Sequence, residues 1–514
     1  MPIKTHNKLD LTLDFTYTDA TMRYPTLTAE EAAALIHDGD CIGMSGFTNA
    51  GAPKALPTAI ALRAKAEQTA GRPFKLTVMT GASTSTLVDG VLSASGCVER
   101  FMPYQASKET RDAINAGHIK YIDCHVSLMA QDMRYGHLPR VGTAIIEVCD
   151  VTDDGELTLT ASGGNSPTFC MLADHIILEL NTYHKPEIRE IHDIYVPKDP
   201  PHRGEIAVYA ADSRVGTKTL RVDPAKIVGV VRTHIKDGIP SFKPSTATTD
   251  IIGEHIADFL AEEYRLGRIP ECFLPIQSGV GNVANAVLGA LARNKNIPNF
   301  KMYTEVIQDS AIALLRSGRC TFASGCSLSV SDEVLAEIYE HFDFYRDKLL
   351  LRPQEVTNNP EMARNIGLIC TNTAIEVDIF GNVNSSHFFG TTIMNGIGGS
   401  GDFARAAAYT IFMCPSTAKS GAISSIVPMV SHTDHTEHDV AIVVTEQGVA
   451  DLRGKCPRER AELIIENCAH PDYRPLLREY LALTPTGHTP HCLRKAFEMH
   501  TTFLEQGDMR LTKF

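Results

Sequence analysis

Asp40-Cys41-Ile42-Gly43-Met44-Ser45-Gly46-Phe47-Thr48-Asn49 reads as a short strand running into a glycine turn. Pro53–Lys65 follows as a helix, and Lys75–Met79 as a second strand ending at Thr80-Gly81-Ala82-Ser83. Strands that alternate with helices and carry loops at their ends predict a parallel α/β sheet. Upstream, Thr28-Ala29-Glu30-Glu31 has the capping-box pattern and predicts a helix over Ala32–His37, preceded by an irregular arm.

The same pattern returns later in the chain. Ser45-Gly46-Phe47-Thr48-Asn49 is echoed by Ser278-Gly279-Val280-Gly281-Asn282, each after a strand and before a helix. Thr80-Gly81 is echoed by Thr304-Glu305, Asp154-Gly155-Glu156-Leu157 by Phe380-Gly381-Asn382-Val383, and Gly163-Gly164-Asn165-Ser166 by Gly398-Gly399-Ser400-Gly401. Four weak matches in one order predict two similar open α/β domains with mainly parallel sheets. The boundary falls between residues 215 and 250 and is set at 225, giving domains 1–225 and 226–514. Val196–Arg203 and Pro240–Thr249 read as surface loops, and Cys492–Gln506 as a closing helix.

A length of 514 residues allows two or three domains, and 43% hydrophobic residues suffice for sizeable cores. The net charge of -13 argues against a general nucleic-acid binder, which carries a basic excess. Thirteen scattered cysteines, odd in number and without C-x-x-C spacing, read as reduced thiols in a cytoplasmic protein. Lys4, His6, Lys8 and Asp10 interrupt any secretory signal, and no apolar run is long enough for a membrane span.

Tyr303-Thr304-Glu305-Val306-Ile307-Gln308-Asp309 places one carboxylate in an apolar, strand-like run. A glutamate in a strand is more often solvated or salt-bridged. Here the glycine turns stand to converge with it at the carboxyl edge of the sheet, where ligands bind in open α/β folds. A dry carboxylate beside backbone N–H donors can attack an activated acyl group, so Glu305 reads as a nucleophile. The second half carries Glu305 where the first carries Gly81, which puts the chemistry in the second half.

Gly396-Ile397-Gly398-Gly399-Ser400-Gly401 matches G-x-G-x-x-G, but no acidic residue follows about 20 positions on, against a dinucleotide site. Asp402 instead reads as the cap of a helix over Phe403–Met413, with glycine N–H groups turned toward an oxyanion. The alternative is a tight turn without a ligand. His432, His435 and His438 fall at spacing three, yet no fourth metal ligand is evident, and a surface loop is the simpler reading. No metal is expected. Ser45 and Ser278 lack the G-x-S-x-G elbow of serine hydrolases. Glu446 ends the strand Val440–Val444 before an expected helix and could face the same cleft as Glu305.

The chain resembles the acetyl-CoA hydrolase/transferase family of class I CoA-transferases, in particular its succinyl-CoA:acetate CoA-transferases. The resemblance rests on Ser45–Thr48, Thr80–Ser83, Gln277–Ala286, Thr304–Asp309, Asn395–Arg405, Pro415–Lys419, Thr445–Gly448 and Ala469–Pro475. It implies that Glu305 attacks an acyl-CoA thioester and passes through an acyl–glutamyl anhydride to a glutamyl–CoA thioester. Val280 and Gly399 would supply oxyanion amides, and the Asn358 side chain would position the glutamyl carbonyl. Gly279, Val280, Gly281, Asn282, Val283, Asn395, Gly399 and Lys419 would contact coenzyme A. Arg232 and Glu446 would lie near the carboxylate pocket. Coenzyme A is then a substrate, with no prosthetic group. The partners are acyl-CoA and short carboxylates such as acetate, propionate or succinate, with no nucleic acid or membrane, and the expected assembly is a homodimer. An acyl-CoA hydrolase and a non-catalytic CoA-binding protein remain as alternatives.

Overall fold

A computed structural model of the chain describes residues 23–83, 86–239 and 245–514. The expected irregular arm is described only from Arg23 onward, and residues 240–244 of the expected Pro240–Thr249 loop lie outside the described residues. The rest of that loop is shorter than expected. Thr246 caps a helix that begins at Ala247 and runs to Arg265.

Two large sheets form the frame. The path of the first runs Thr26–Leu27, Ile227–Thr233, His175–Asn181, Thr143–Val151, Cys41–Met44, Leu76–Met79, Val98–Met102 and Lys120–Tyr121. The second runs Gly448–Asp451, Ile442–Thr445, Tyr409–Met413, Ile369–Thr373, Ile276–Ser278, Phe300–Tyr303, Cys320–Gly325 and Leu349–Leu351. Laid side by side, the orders correspond over seven strands, and the edge strands Thr26–Leu27 and Gly448–Asp451 differ in chain order and direction. Cys41–Met44 matches Ile276–Ser278, and Leu76–Met79 matches Phe300–Tyr303, as the sequence echoes require. Along both paths the neighbours are parallel, except that Gly448–Asp451 folds back antiparallel on Ile442–Thr445. The echoed Asp154–Leu157 and Phe380–Val383 segments both form antiparallel returns.

Alternation in the strands explains why both faces are dry. Ile42, Val78, Ile145, Ile177 and Val231 enter one buried cluster, while Met79, Ala144, Ile146, Leu178 and Val230 enter another on the opposite face. Ile227–Thr233 pairs with His175–Asn181, so the first sheet extends through Thr233 and past the boundary expected at 225. Backbone bonds stitch the halves together: Gly163 N–H donates to Cys326 O at 3.0 Å, and Leu328 N–H to Ala161 O at 2.8 Å.

Several expected elements moved. The capping box at Thr28 and Glu31 is formed, but its helix covers Ala29–Ala33. The last helix begins at Glu498, not at Cys492. The thirteen cysteines are all free thiols. Among the described residues, no helix is long and apolar enough to cross a membrane.

Candidate active site

Glu305 sits where one strand stops. Phe300–Tyr303 ends, and after two residues Val306–Ile307 resumes in a new pairing with Ser327–Leu328. The carboxylate therefore leaves from a break at the carboxyl edge of the second sheet, not from the middle of one continuous strand. Its position is fixed on both sides. The Glu305 carbonyl accepts the Cys326 N–H at 2.8 Å. The Thr304 hydroxyl donates to Ser278 O at 2.9 Å, and Gln308 Nε2 donates to Gly279 O at 3.2 Å. The residues flanking Glu305 thus hold the turn Ser278–Gly281 beside it.

Asn358 lies buried just after the short helix Gln354–Thr357 and donates through Nδ2 to Glu305 Oε1 at 2.7 Å. Gly399 closes on the same group. A methyl at this position would collide with Glu305 Oε1 and Asn358 Nδ2, so only glycine lets the backbone come this near. Among the described residues, the amides of Val280 and Gly399 have no hydrogen-bond partner within the chain. Burial pushes the Glu305 carboxyl up to about 7, against the opposing hydrogen bond from Asn358. An anion so poorly solvated gains nucleophilicity.

A cavity of about 270 Å³ opens over Glu305. Phe47, Thr48, Ala82 and Tyr104 of the first half face Gln277, Gly279, Val280 and the Asn395–Ser400 loop of the second. A more apolar cavity of about 400 Å³ adjoins it and shares Thr48, Tyr104, Val280 and Val306.

The structure brings Glu305, Gly279, Val280, Asn358, Asn395 and Gly399 together around this cavity. Gly281 follows at φ 114, a left-handed value, and caps the helix Asn282–Arg293, which begins with Asn282 and Val283. Three expected residues lie elsewhere. Arg232 is exposed on the strand Ile227–Thr233 of the first sheet and is not on the cavity wall. Lys419 is exposed, and its ammonium lies 4.9 Å from the ring centre of Phe503. Glu446 accepts from the N–H of Ser416 at 2.8 Å and from its hydroxyl. Burial raises its carboxyl, but these bonds and one from Gln447 outweigh it and hold the group below its ordinary value. The expected helix after Glu446 is instead a hairpin into Gly448–Asp451.

The glycine loop also differs from its sequence reading. Its helix is short, Ser400–Ala404, and Tyr409–Met413 is a strand, because Ile411 and Met413 belong in the sheet core. Asp402 lies inside that helix and does not cap it. It accepts from Ser127 N–H at 3.1 Å and from Ser127 Oγ at 2.6 Å. Burial pushes its carboxyl up to about 8, and the nearby Glu305 charge adds to the rise while the Ser127 bonds oppose it. His435 is buried under the loop, not in a surface loop, with Nε2 3.1 Å from Ser400 Oγ. Desolvation lowers it to about 4, so it stays neutral.

Tyr104, Asp123, Ser127 and His435 surround the site and were not singled out as site residues from the sequence. The histidine cluster was noticed, but its neighbour Ser400 lies 35 positions away. Among the described residues, the cluster that could suit a metal is Glu147, His184 and Asp237. The Lys54 ammonium already bonds Glu147 there and lies 2.9 Å from Asp237.

Comparison with known proteins agrees with this architecture. The acetyl-CoA hydrolase/transferase N-terminal domain matches residues 16–232, and the corresponding C-terminal domain matches 335–481. A succinyl-CoA:acetate CoA-transferase of Clostridium kluyveri is 47% identical over 94% of this chain and 90% of its own length. A propanoyl-CoA:succinate CoA transferase of Escherichia coli K12 is 45% identical over 95% and 99%. An acetyl-CoA hydrolase of Schizosaccharomyces pombe is 40% identical over 92% and 94%. The solved structure of RipA from Yersinia pestis superposes with a TM-score of 0.68, covering 88% of this chain and 96% of that one at 22% identity, a likeness of fold. Over both halves, then, the chain belongs to the acetyl-CoA hydrolase/transferase family.

Proposed function

We propose that this protein is a CoA-transferase that moves coenzyme A between short-chain acyl-CoA and carboxylates such as acetate, propionate and succinate. The observation that carries the reading is the half-buried Glu305 carboxylate, bonded by Asn358 and pressed against the Gly399 backbone. Glu305 attacks the thioester carbonyl, and the C–S bond breaks to give an acyl–glutamyl anhydride and CoA thiolate. The thiolate then attacks the glutamyl carbonyl. The donor's carboxylate leaves, and a glutamyl–CoA thioester remains. An acceptor carboxylate runs the same two steps in reverse and departs as the new acyl-CoA. Charge develops on a carbonyl oxygen at each addition, where the unpartnered amides of Val280 and Gly399 can serve as donors.

The loops of the smaller cavity suit the polar pantetheine arm, with Gly279–Val283 and Asn395 along its course. The adjoining apolar cavity suits the acyl chain. Water must be excluded throughout, because either glutamyl intermediate can hydrolyse.

Hydrolysis is the second reading, favoured by the acetyl-CoA hydrolase at 40% identity. Thiol release from acetyl-CoA with and without succinate separates the two. Transfer predicts succinyl-CoA at constant thioester, with little free thiol when the acceptor is omitted. Thiol accumulating at the full rate without succinate contradicts transfer.

A further inference from the structure

The glycine loop belongs to the second half, but its outer side is held by a segment of the first. That segment, Tyr121–Ser127, begins at the edge strand Lys120–Tyr121. Asp123 accepts the Ile397 N–H with both carboxylate oxygens, each at 3.0 Å. The Tyr121 hydroxyl lies 3.1 Å from Asp123 Oδ1 and 3.0 Å from Pro103 O, which steadies the acceptor. Four residues after Asp123, Ser127 makes its two bonds to Asp402. Between these pins His125 covers Gly401, where an added methyl would lie 2.6 Å from the imidazole Cε1. The fit is equally close at Gly396, where an added methyl would lie 2.6 Å from Asp123 Oδ1.

Gly399 lies between the two anchored positions, Ile397 and Asp402. Four of the six residues from Gly396 to Gly401 are glycine, so the loop has little rigidity of its own. An oxyanion donor acts only when it is fixed before the charge develops, and an error of about 1 Å can cost about 100-fold in rate. The loop's own side-chain bonds, such as Ser400 Oγ to Ile397 O at 2.8 Å, leave the Ile397 N–H to be held from outside.

We propose that Asp123 is a positioning residue: by accepting the Ile397 N–H it holds the glycine loop so that Gly399 stays against Glu305 and Asn358. The inference rests on the CoA-transfer reading above. Asp123 is itself solvent-exposed, so removing its side chain opens no core.

The test is steady-state exchange between succinyl-CoA and acetate by the full-length protein, with thermal midpoints measured alongside. Asp123→Ala is expected to lower kcat about 10- to 100-fold, change KM for succinyl-CoA less than about threefold, and leave the midpoint unchanged. Asp123→Asn keeps one carbonyl acceptor and is expected to recover most of the lost rate. Gly396→Ala presses on the same clamp from the loop side. Its loss should not multiply with that of Asp123→Ala in the double variant, because both break one contact.

An Asp123→Ala enzyme within twofold of wild type in kcat overturns the inference. So does a KM effect alone, an activity loss that follows a fall in midpoint without rescue by asparagine, or losses that multiply in the double variant. A wild-type protein that exchanges no coenzyme A would overturn the functional reading itself. An active wild type with an indifferent Asp123→Ala would overturn this inference alone.

Discussion

On the proposed mechanism Glu305 must be an anion to attack, yet its surroundings disfavour the anion. Burial moves its carboxyl from 4.5 to about 7, with only Asn358 opposing. The acidic limb of kcat/KM should therefore fall near pH 7. Asn358→Ala removes the one bond favouring the ionised form, so that limb should move to higher pH while the rate drops; an unmoved limb would separate Asn358 from the titration. Stability follows from the same shift. Below about pH 4.5 Glu305 is protonated in both folded and unfolded states, and between 4.5 and 7 only the unfolded chain loses the proton. Its contribution to stability thus falls as pH rises through that window and stays unfavourable above it. Glu305→Gln should abolish exchange and raise the thermal midpoint at pH 8 by the equivalent of about 1–3 kcal/mol, with no gain at pH 4. Calorimetry at the two pH values checks this. Gly399→Ala should lower kcat by about 100-fold or more, since its methyl meets both Glu305 and Asn358.

At the scale of elements, the strand–turn–helix units were legible because their signals are local. The turn after Met44 and the turn after Ser278 announce themselves through small residues between an apolar run and a helix. The break at Glu305 was not legible, because Tyr303 to Ile307 is apolar on both sides of it, and only the pairing with Ser327–Leu328 reveals the change of partner. The region after Gly401 misled for a related reason. Phe403 to Met413 is mainly apolar, broken only by Arg405 and Thr410, and periodicity cannot distinguish a buried helix from a buried strand. Asp123 and Ser127 could not be found from sequence at all, because their partners lie 274 and 275 positions away. The Gly279–Gly281 turn offers a test at this scale. Gly281 holds φ 114, where a β-carbon is strained. Gly281→Ala should cost about 1 kcal/mol or more of stability and raise KM for acyl-CoA. Denaturant titration and saturation kinetics read the two effects, and unchanged values would show that the turn tolerates a side chain.

Across the whole molecule, two copies of one sheet plan have been given different tasks. The place of Glu305 is taken in the first half by Gly81, where a methyl would lie 2.9 Å from Gln354 Oε1 of the second half. Gly46 O and Gly164 of its own half crowd the same spot, so no side chain fits there, while the neighbouring Phe47, Thr48 and Ala82 line the cavity wall. The first half is held by a buried charge cluster. Lys54 bonds Glu147 and lies 2.9 Å from Asp237, and its ammonium is driven above its ordinary value by those two carboxylates despite the cost of burial. Lys54→Met leaves two buried carboxylates without their cation and should destabilise the protein by about 3–5 kcal/mol. An unchanged denaturation midpoint would contradict that role. The proposed transfer depends on what forms at Glu305 in the cavity between the halves. The direct measurement is peptide mass spectrometry after succinyl-CoA and borohydride are added together. Reduction confined to the peptide carrying Glu305, dependent on acyl-CoA and absent from Glu305→Gln, is the predicted result. An unmodified Glu305 in a protein that still exchanges coenzyme A at full rate would contradict it.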